Sequence, residues 1–440
     1  MTEAEKREQE RKIEIESAAR ELLFALLRYE TRGVNVPESL KENLSNLEIL
    51  QALYQTSKAH DLTHLIADAL FKNKLLDKAS PAGKAFFKQL QMAVFRYEQI
   101  SYELKSVCEV LEEKKIAHMP LKGSVIRALY PQPWMRTSCD IDIYVQESDL
   151  EAAANAIVEK LGYQNDGKGS HDMQMFAPSG VHLELHYDLI EDSVSPQFKK
   201  RFSKIWENSV SVRESAYTYK MTDEDFYFYH IVHTAKHFKG GGCGIRPFID
   251  LWYLEKSLPY DREKTDESLT ECGFLKFAEA ARKLARVWLE GEEHDELSKE
   301  MAAFVLSGGV YGALENRVAV QTHKGRFSYF LYRVFPPYRE LKNQYLVLRK
   351  YPVLYPFYIV RRWFNLLFVK GRAKNSLHEW NVAMAKSKDK GEENRVKNLL
   401  KNLENLDLLS YAFPGKLDKY LDDVVNPYLF KVEDVTVKVE

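Results

Sequence analysis

The spacing of apolar residues changes between residues 115 and 189 from a helical pattern to that of strands, and this change constrains the fold most. Asp140–Val145 reads Asp-Ile-Asp-Ile-Tyr-Val, in which polar and apolar side chains alternate at first. A period of two is typical of a strand that buries one face. The neighbouring segments predict further elements: a strand over 116–121, a helix over 125–130, a helix over 147–161 with Ser148 as N-cap and Gly162 as C-terminal stop, and a hairpin of 173–177 and 181–189. We therefore expect a small α/β module here.

The chain on both sides of this module has helical periodicity. Leu22, Leu23 and Leu26 fall on one stripe, and residues 86–111 carry apolar side chains at spacings of three and four without an intervening glycine or proline. The predicted fold class is α+β, a small mixed-sheet core flanked by N-terminal and C-terminal helical regions. The predicted boundaries are 1–114, 115–215 and 216–385, followed by a charged linker and tail over 386–440 with an edge strand at 435–439.

Charge and cysteine content exclude some classes of protein. Lys and Arg number 63 and Asp and Glu 64, so the net charge of −1 favours neither nucleic acid nor an acidic partner. The densely charged N-terminus argues against a secretory signal, and no run of about 18 apolar residues predicts a transmembrane segment. Four scattered cysteines suggest neither a disulfide framework nor a structural zinc site. A cytoplasmic location is expected.

Two carboxylates on the predicted strand are candidate metal ligands. Asp140 and Asp142 are two residues apart, so both project from the same face while Ile141 and Ile143 point into the core. Like charges held this close repel unless a cation lies between them, and hard oxygen ligands suit Mg²⁺. Glu184 lies on a second alternating strand, sharing a face with His182 and His186. If the two strands pair, three carboxylates converge, as a two-metal site requires.

A candidate phosphate-binding turn precedes these strands. Lys122, Gly123 and Ser124 follow a short strand and open a helix. Glycine lets a phosphate approach the backbone, a helix N-terminus offers free N–H groups, and the lysine adds a cation. Such a turn is common by itself, but it becomes specific when Asp140 and Asp142 follow it.

Together these motifs resemble the polymerase-β-like nucleotidyltransferase superfamily, which carries Gly-Ser at a strand–helix turn, two acidic residues one position apart and a third acid on a later strand. The residues themselves are more similar still to the bacterial "uncharacterised nucleotidyltransferase" family. The matching segments are Met119-Pro120-Leu121-Lys122-Gly123, Tyr130-Pro131, Arg136, Asp140-Ile141-Asp142, Glu184-Leu185-His186, His233-x-x-x-His237 and Asp250-Leu251-Trp252. The resemblance covers about residues 47–254, with a looser likeness to about 370. The long interval of residues 125–139 departs from the superfamily pattern.

The resemblance implies a function and a role for each matching residue. Asp140, Asp142 and Glu184 would bind two Mg²⁺ ions, for which Mn²⁺ could substitute, and Glu184 would help to deprotonate the acceptor hydroxyl. The remaining implied nucleotide ligands are Lys122, Gly123, Ser124 and Arg136. The implied substrate is an NTP, and the acceptor is a small molecule, a protein or an RNA.

Several motifs keep two interpretations. His230, His233 and His237 share one helical face and suggest either a metal-dependent phosphohydrolase or a packing role. His186 is a candidate substrate contact or a partner of Glu184. The glycine-rich loop 239–242 with Arg246 either closes over nucleotide phosphates or the acceptor, or is a flexible connection between helices. Residues 326–374 contain eleven Lys or Arg residues and one acid, interleaved with aromatic side chains, typical of an RNA-binding or membrane surface or of a helical core. A catalytically silent nucleotide- or RNA-binding module is the alternative function.

Overall fold

The N-terminal quarter of the chain is helical. The computed structural model describes residues 2–189, 196–213, 215–310 and 334–368, together with 401, 403–406 and 408. Its first helices are α1 (Glu3–Arg32), α2 (Glu38–Lys41), α3 (Leu47–Ala59), α4 (Thr63–Lys72) and α5 (Pro81–Glu113). Helix α1 begins at a capping box, in which Thr2 and Glu5 each accept a hydrogen bond from the other's backbone N–H. It ends at Gly33, whose φ of 70° lies in the left-handed region that favours glycine.

A five-stranded mixed sheet follows, as predicted for the α/β module. Its strands are β1 (His118–Pro120), β2 (Asp140–Val145), β3 (Gln164–Lys168), β4 (Asp172–Phe176) and β5 (His182–His186), in the order β1-β2-β5-β4-β3. Strands β2 and β5 are parallel, and the other neighbours are antiparallel. The helices of this region are α6 (Gly123–Ile126) and α7 (Leu150–Leu161), with short 3₁₀ turns at Arg127–Leu129, Pro133–Met135 and Glu147–Asp149.

Two details of the predicted module differ from the structure. Strand β3 was not predicted, because all of its residues are exposed and it has no apolar alternation. Ser148 is not the N-cap of α7, since a 3₁₀ turn occupies 147–149 and Asp149 takes the cap position without a side-chain hydrogen bond. Gly162 ends α7 as predicted, with a φ of 70°.

The chain after the sheet is again mostly helical. It contains α8 (Pro196–Phe202), α9 (Ile205–Asn208), a small hairpin of β6 (Val210–Ser211) and β7 (Tyr219–Lys220), α10 (Asp223–Lys239), α11 (Arg246–Ser257), α12 (Arg262–Glu271), α13 (Leu275–Glu290), α14 (Glu296–Gly308), α15 (Tyr338–Gln344), α16 (Val347–Lys350) and α17 (Tyr355–Phe368). Within the described ranges no helix has both the length and the apolar character needed to cross a bilayer. The predicted edge strand at 435–439 and the linker start at 386–397 lie outside the described residues.

Helices from both ends of the described chain share one hydrophobic core. The buried side chains of α1, α3 and α4 belong to the same cluster as those of α10, α11 and α13. Phe24 of α1 stacks on Trp288 of α13 with ring centroids 5.1 Å apart, and Arg28 donates a hydrogen bond to the Trp288 carbonyl. The boundaries at 114 and 216 therefore separate segments of sequence that pack together.

A second core covers one face of the sheet. Ile141 and Ile143 of β2, Leu183 and Leu185 of β5 and the facing side chains of α5 and α7 form this cluster. Because strand side chains alternate between faces, the polar residues of β2 and β5 project from the opposite face. That face is turned towards α10.

A buried ion pair connects the module to the C-terminal helices. Arg136, before β2, donates from Nε and Nη2 to both carboxylate oxygens of Asp250 on α11 at 2.9–3.1 Å. The hydroxyl of Tyr130 donates to Asp250 Oδ1 at 2.7 Å. Burial opposes ionisation of Asp250, but Arg136 outweighs it and lowers the pKa of this carboxyl.

We expect Asp250→Asn to lower the free energy of unfolding by about 3–5 kcal/mol, because it leaves the Arg136 guanidinium buried without an opposite charge. Urea denaturation followed by circular dichroism measures this change. The matched control is Glu48→Gln, which removes an exposed partner of Arg11 and should cost less than about 1 kcal/mol. Equal losses in the two variants would contradict this role for the buried pair.

Candidate active site

The register of β2 and β5 brings the three predicted carboxylates together. Asp142 lies directly beside Glu184, and Asp140 lies beside His182. Asp142 is buried, whereas Asp140 and Glu184 are partly exposed. Asp142, Glu184 and His186 can each offer one ligand atom, and these three atoms lie within 4.8 Å of one another. The same holds for Asp140, His182 and Glu184. Both groups have the spacing from which side chains can close around a metal ion.

Lys122 provides positive charge between these carboxylates. Its Nζ lies 2.7 Å from Asp142 Oδ1 and 3.9 Å from Glu184 Oε2. Burial alone would lower the pKa of Lys122, but Asp142 outweighs it and raises that pKa. The ammonium is therefore charged and offsets part of the negative charge at the site.

The backbone at Lys122 is in a conformation that normally belongs to glycine. Lys122 has φ 47° and ψ −123°, and the Ser124 N–H donates to the Leu121 carbonyl at 3.1 Å, which together define a type II′ turn. A non-glycine residue held at positive φ stores about 1–3 kcal/mol of strain. The surrounding structure thus keeps a lysine in a backbone conformation that glycine would adopt with less strain.

His186 contacts the same carboxylates from β5. Its Nε2 lies 2.9 Å from Asp142 Oδ1 and 3.3 Å from Glu184 Oε2. Burial and Lys122 oppose its protonation, but hydrogen bonds to Asp142 and Glu184 raise its pKa. Of the two interpretations from the sequence, the geometry favours a partner of the carboxylates.

The carboxylates differ in how readily they ionise. Burial and the neighbouring Asp142 raise the pKa of Asp140. Burial also opposes the ionisation of Asp142 and Glu184. Lys122 and His186 outweigh it at Asp142 and lower the pKa of that carboxyl, and the hydrogen bond from His186 lowers the pKa of Glu184. Asp140 is therefore the carboxylate whose ionisation gains most from an added cation, and such crowded hard oxygens fit Mg²⁺.

The Gly123-Ser124 turn differs from its predicted form. Helix α6 has only four residues, and the N–H groups of Ser124 and Val125 already donate to the carbonyls of Leu121 and Lys122. The expected set of free N–H groups is therefore absent from residues 124 and 125. The Ser124 hydroxyl is buried and has no hydrogen-bond partner among the described residues.

Arg127, which the sequence analysis did not select, supports this turn. Its Nε donates to the Gly123 carbonyl at 2.9 Å, and its Nη2 donates to Ser138 Oγ at 2.7 Å. Burial lowers its pKa to about 10, so it stays charged at neutral pH. A Cβ at Gly123 would lie 3.0 Å from Arg136 Nη1, so the Arg136 guanidinium would have to shift to accept a side chain there. Only the four-residue distance to Gly123 could have suggested the contact of Arg127.

A cavity of about 270 Å³ opens beside the carboxylates. It is lined by the following predicted residues: Asp140, Asp142, Glu184, Lys122, Gly123, Arg136, His233, His237 and Arg246. Arg136 is already paired with Asp250, and Arg246 donates to Asp61 Oδ2 at 2.8 Å. The charges of both arginines are therefore largely matched by protein carboxylates.

The opposite wall of the cavity is α10. His233 and His237 lie one turn apart with their Nε2 atoms 3.2 Å apart, and burial and Lys122 keep the pKa of His233 well below its usual value. His230 Nε2 instead donates to the Pro247 carbonyl, 2.9 Å away. Among the described residues, the groups with metal-ligand spacing do not include the three histidines together. This geometry favours a packing role for the histidines over the hydrolase site.

Tyr229 is a further residue of this wall that the sequence analysis missed. It is buried, lines the cavity and lies four residues before His233, with the two rings 5.8 Å apart. Its hydroxyl has no hydrogen-bond partner in the described part of the chain. The helical spacing from His233 was the available signal.

We expect Lys122→Gly to be more stable than Lys122→Ala by about 1 kcal/mol, because both lose the ammonium but only glycine relieves the strain at positive φ. Thermal and chemical denaturation of the two variants measure the difference. The same substitutions at Lys105, an exposed position inside α5, should give the opposite order, with alanine more stable by about 1 kcal/mol. An alanine advantage at both positions would rule out strain at Lys122.

Comparison with known proteins adds the family. A family model described as an uncharacterised nucleotidyltransferase matches residues 49–290, which is more than half of the chain and includes the sheet, its carboxylates and helix α10. Comparisons with curated proteins and with solved structures gave no match. The chain therefore belongs to this uncharacterised nucleotidyltransferase family.

Proposed function

We propose that this protein is a Mg²⁺-dependent nucleotidyltransferase that transfers a nucleoside monophosphate from an NTP to a hydroxyl acceptor and releases pyrophosphate. The observation that carries the proposal is the β2–β5 register, in which Asp142 lies beside Glu184 with Asp140 at the cavity. Family membership supports an NTP substrate. A small molecule, a protein or an RNA can each supply the hydroxyl.

In this proposal Asp140, Asp142 and Glu184 hold Mg²⁺ through their carboxylate oxygens. The raised pKa of Asp140 supports this role. Burial and the neighbouring Asp142 oppose its ionisation, and a bound cation would supply the opposite charge that favours it. Two bound ions would neutralise charge on the phosphates and favour ionisation of the acceptor hydroxyl, and Mn²⁺ would substitute for them.

The side chains around the metal ligands position the triphosphate. Lys122 is charged and lies at the cavity, so it can exchange its contact with Asp142 for a phosphate oxygen. Gly123 lines the cavity beside Lys122 and leaves space for the Arg136 guanidinium against the turn. The hydroxyl of Ser124, which the resemblance implies as a phosphate donor, is buried beside this turn without a partner among the described residues. Because Asp250 pairs with Arg136, we assign Arg136 to holding the turn in place.

The reaction is an in-line displacement at the α-phosphorus. The acceptor oxygen forms a bond to this phosphorus, the bond from the phosphorus to the bridging α–β oxygen breaks, and the electron pair leaves with pyrophosphate. Glu184, ionised because His186 lowers its pKa, takes the proton of the acceptor hydroxyl. Positioning and electrostatic stabilisation supply the rate enhancement.

We expect Asp140→Asn to reduce transfer from an α-labelled NTP by at least about 100-fold, because the variant keeps the shape of the side chain and removes a metal-binding charge. The assay measures labelled product and pyrophosphate with Mg²⁺ and each of the four NTPs, with self-labelling as one readout.

The matched control is Asp166→Asn, the same substitution at an exposed residue of β3, which should retain full activity. If wild type and Asp140→Asn release pyrophosphate equally with every NTP, these carboxylates do not catalyse transfer. Binding of an NTP without turnover in either protein would instead favour the silent nucleotide-binding module.

A further inference from the structure

A second group of potential metal ligands lies beside the carboxylates, on the neighbouring strand pair. The antiparallel register of β4 and β5 places Asp172 directly opposite His186. His171, which precedes β4, is fixed because its carbonyl accepts hydrogen bonds from the N–H groups of Tyr187 and Asp188 at 2.9 and 3.1 Å. Single ligand atoms of His171, Asp172 and His186 lie within 4.8 Å of one another.

Hydrogen bonds orient both imidazole rings of this group. His186 Nε2 is engaged by Asp142 and Glu184, which leaves Nδ1 as its second nitrogen. That Nδ1 is buried and has no hydrogen-bond partner among the residues that the structure describes. His171 Nδ1 lies 3.0 Å from Ser170 Oγ, and its Nε2 lies 3.7 Å from Asp172 Oδ2.

Asp172 is a buried carboxylate with little compensating charge. It is 4% exposed, and Gln174 Nε2 donates to its Oδ2 at 3.2 Å. Among the described residues, its ion-pair contact is with His171. A buried carboxylate is stable only when an opposite charge or hydrogen bonds compensate it. No lysine or arginine of the described residues forms an ion pair with Asp172.

We propose that His171, Asp172 and His186 bind a divalent transition metal of the Zn²⁺ type, separate from the Mg²⁺ of the proposed reaction. His171 binds through Nε2, Asp172 through a carboxylate oxygen and His186 through Nδ1. Two imidazoles and one carboxylate are a ligand set that holds Zn²⁺ with a fourth position open, whereas imidazole is a poor ligand for Mg²⁺. Around a tetrahedral ion the ligand atoms lie about 3.4 Å apart, so small side-chain rotations close the group.

The contact between His186 and Asp142 supports this assignment independently. A histidine that binds a metal through one nitrogen commonly donates the N–H of the other to a carboxylate, which fixes the ring and its tautomer. The pair Asp142–His186 has this arrangement at 2.9 Å. The ion would join the loop before β4 to β5 and lie next to the carboxylate group through His186.

The test uses metal alone, without nucleotide, so that its result is independent of any transferase activity. Chelator-treated protein is titrated with Co²⁺ while its visible absorption is recorded, and zinc is measured by elemental analysis after desalting. We expect wild type to bind one ion with high affinity that stays on the protein through desalting, and His171→Ala to bind Co²⁺ and Zn²⁺ there at least about 10-fold more weakly. Circular dichroism establishes that the variant is folded.

Two controls separate this site from others. His294→Ala removes an exposed histidine far along the sequence and should bind like wild type. Asp140→Asn alters only the carboxylate group and should keep the high-affinity ion. The proposal is overturned if wild type binds neither ion or if His171→Ala keeps the wild-type affinity. Loss of the ion in Asp140→Asn but not in His171→Ala would place it on the carboxylates and also overturn the proposal.

Discussion

The parallel pairing of β2 with β5 brings negative charges close together, and the neighbouring side chains of the site compensate them. Asp142 and Glu184 lie side by side where water is partly excluded, and the free energy of that arrangement depends on nearby positive charge. Lys122 and His186 supply it, and Lys122 does so from a backbone conformation that disfavours lysine. Strain in the turn and charge in the sheet are therefore linked, because the strained residue carries the compensating ammonium.

A second buried charge pair sets the distance between the sheet and the helices. Arg136 belongs to the segment between α6 and β2, and Asp250 belongs to α11, so their bidentate contact fixes the two walls of the cavity relative to each other. Arg127 fixes the turn from behind by binding the Gly123 carbonyl. Arg246 is likewise bound to Asp61, so all three arginines near the site make contacts within the protein. Lys122 is the cation best placed to contact a nucleotide in the cavity.

The sequence predicted those parts of the fold that local periodicity determines. Alternation in β2 and β5 gave the strands and the face of each carboxylate, and the hairpin signal gave the pairing of β4 with β5. The exposed strand β3 has no such pattern and was missed. Long-range pairs are also beyond local patterns. The partner of Arg136, Asp250, lies 114 residues away, so the sequence suggests a phosphate contact for Arg136 and does not reveal this pair. The place of Tyr229 in the cavity depends on how α10 packs on the sheet, which no local pattern shows. The roles of these residues in transfer remain a prediction.

The shared core of the first and later helices affects how the protein can be made. Helix α1 finds its stacking partner, Trp288, more than 250 residues further along the chain, and the whole sheet is translated between them. At a synthesis rate of about 5–20 residues per second, the side of α1 that packs on α13 waits on the order of tens of seconds for its partner, while α3 and α4 are available at once. The α/β module, whose core is separate, can fold during that interval. During synthesis the Phe24 side of α1 is therefore exposed until α13 emerges, and a chain that stops soon after the sheet would leave this apolar surface open to aggregation.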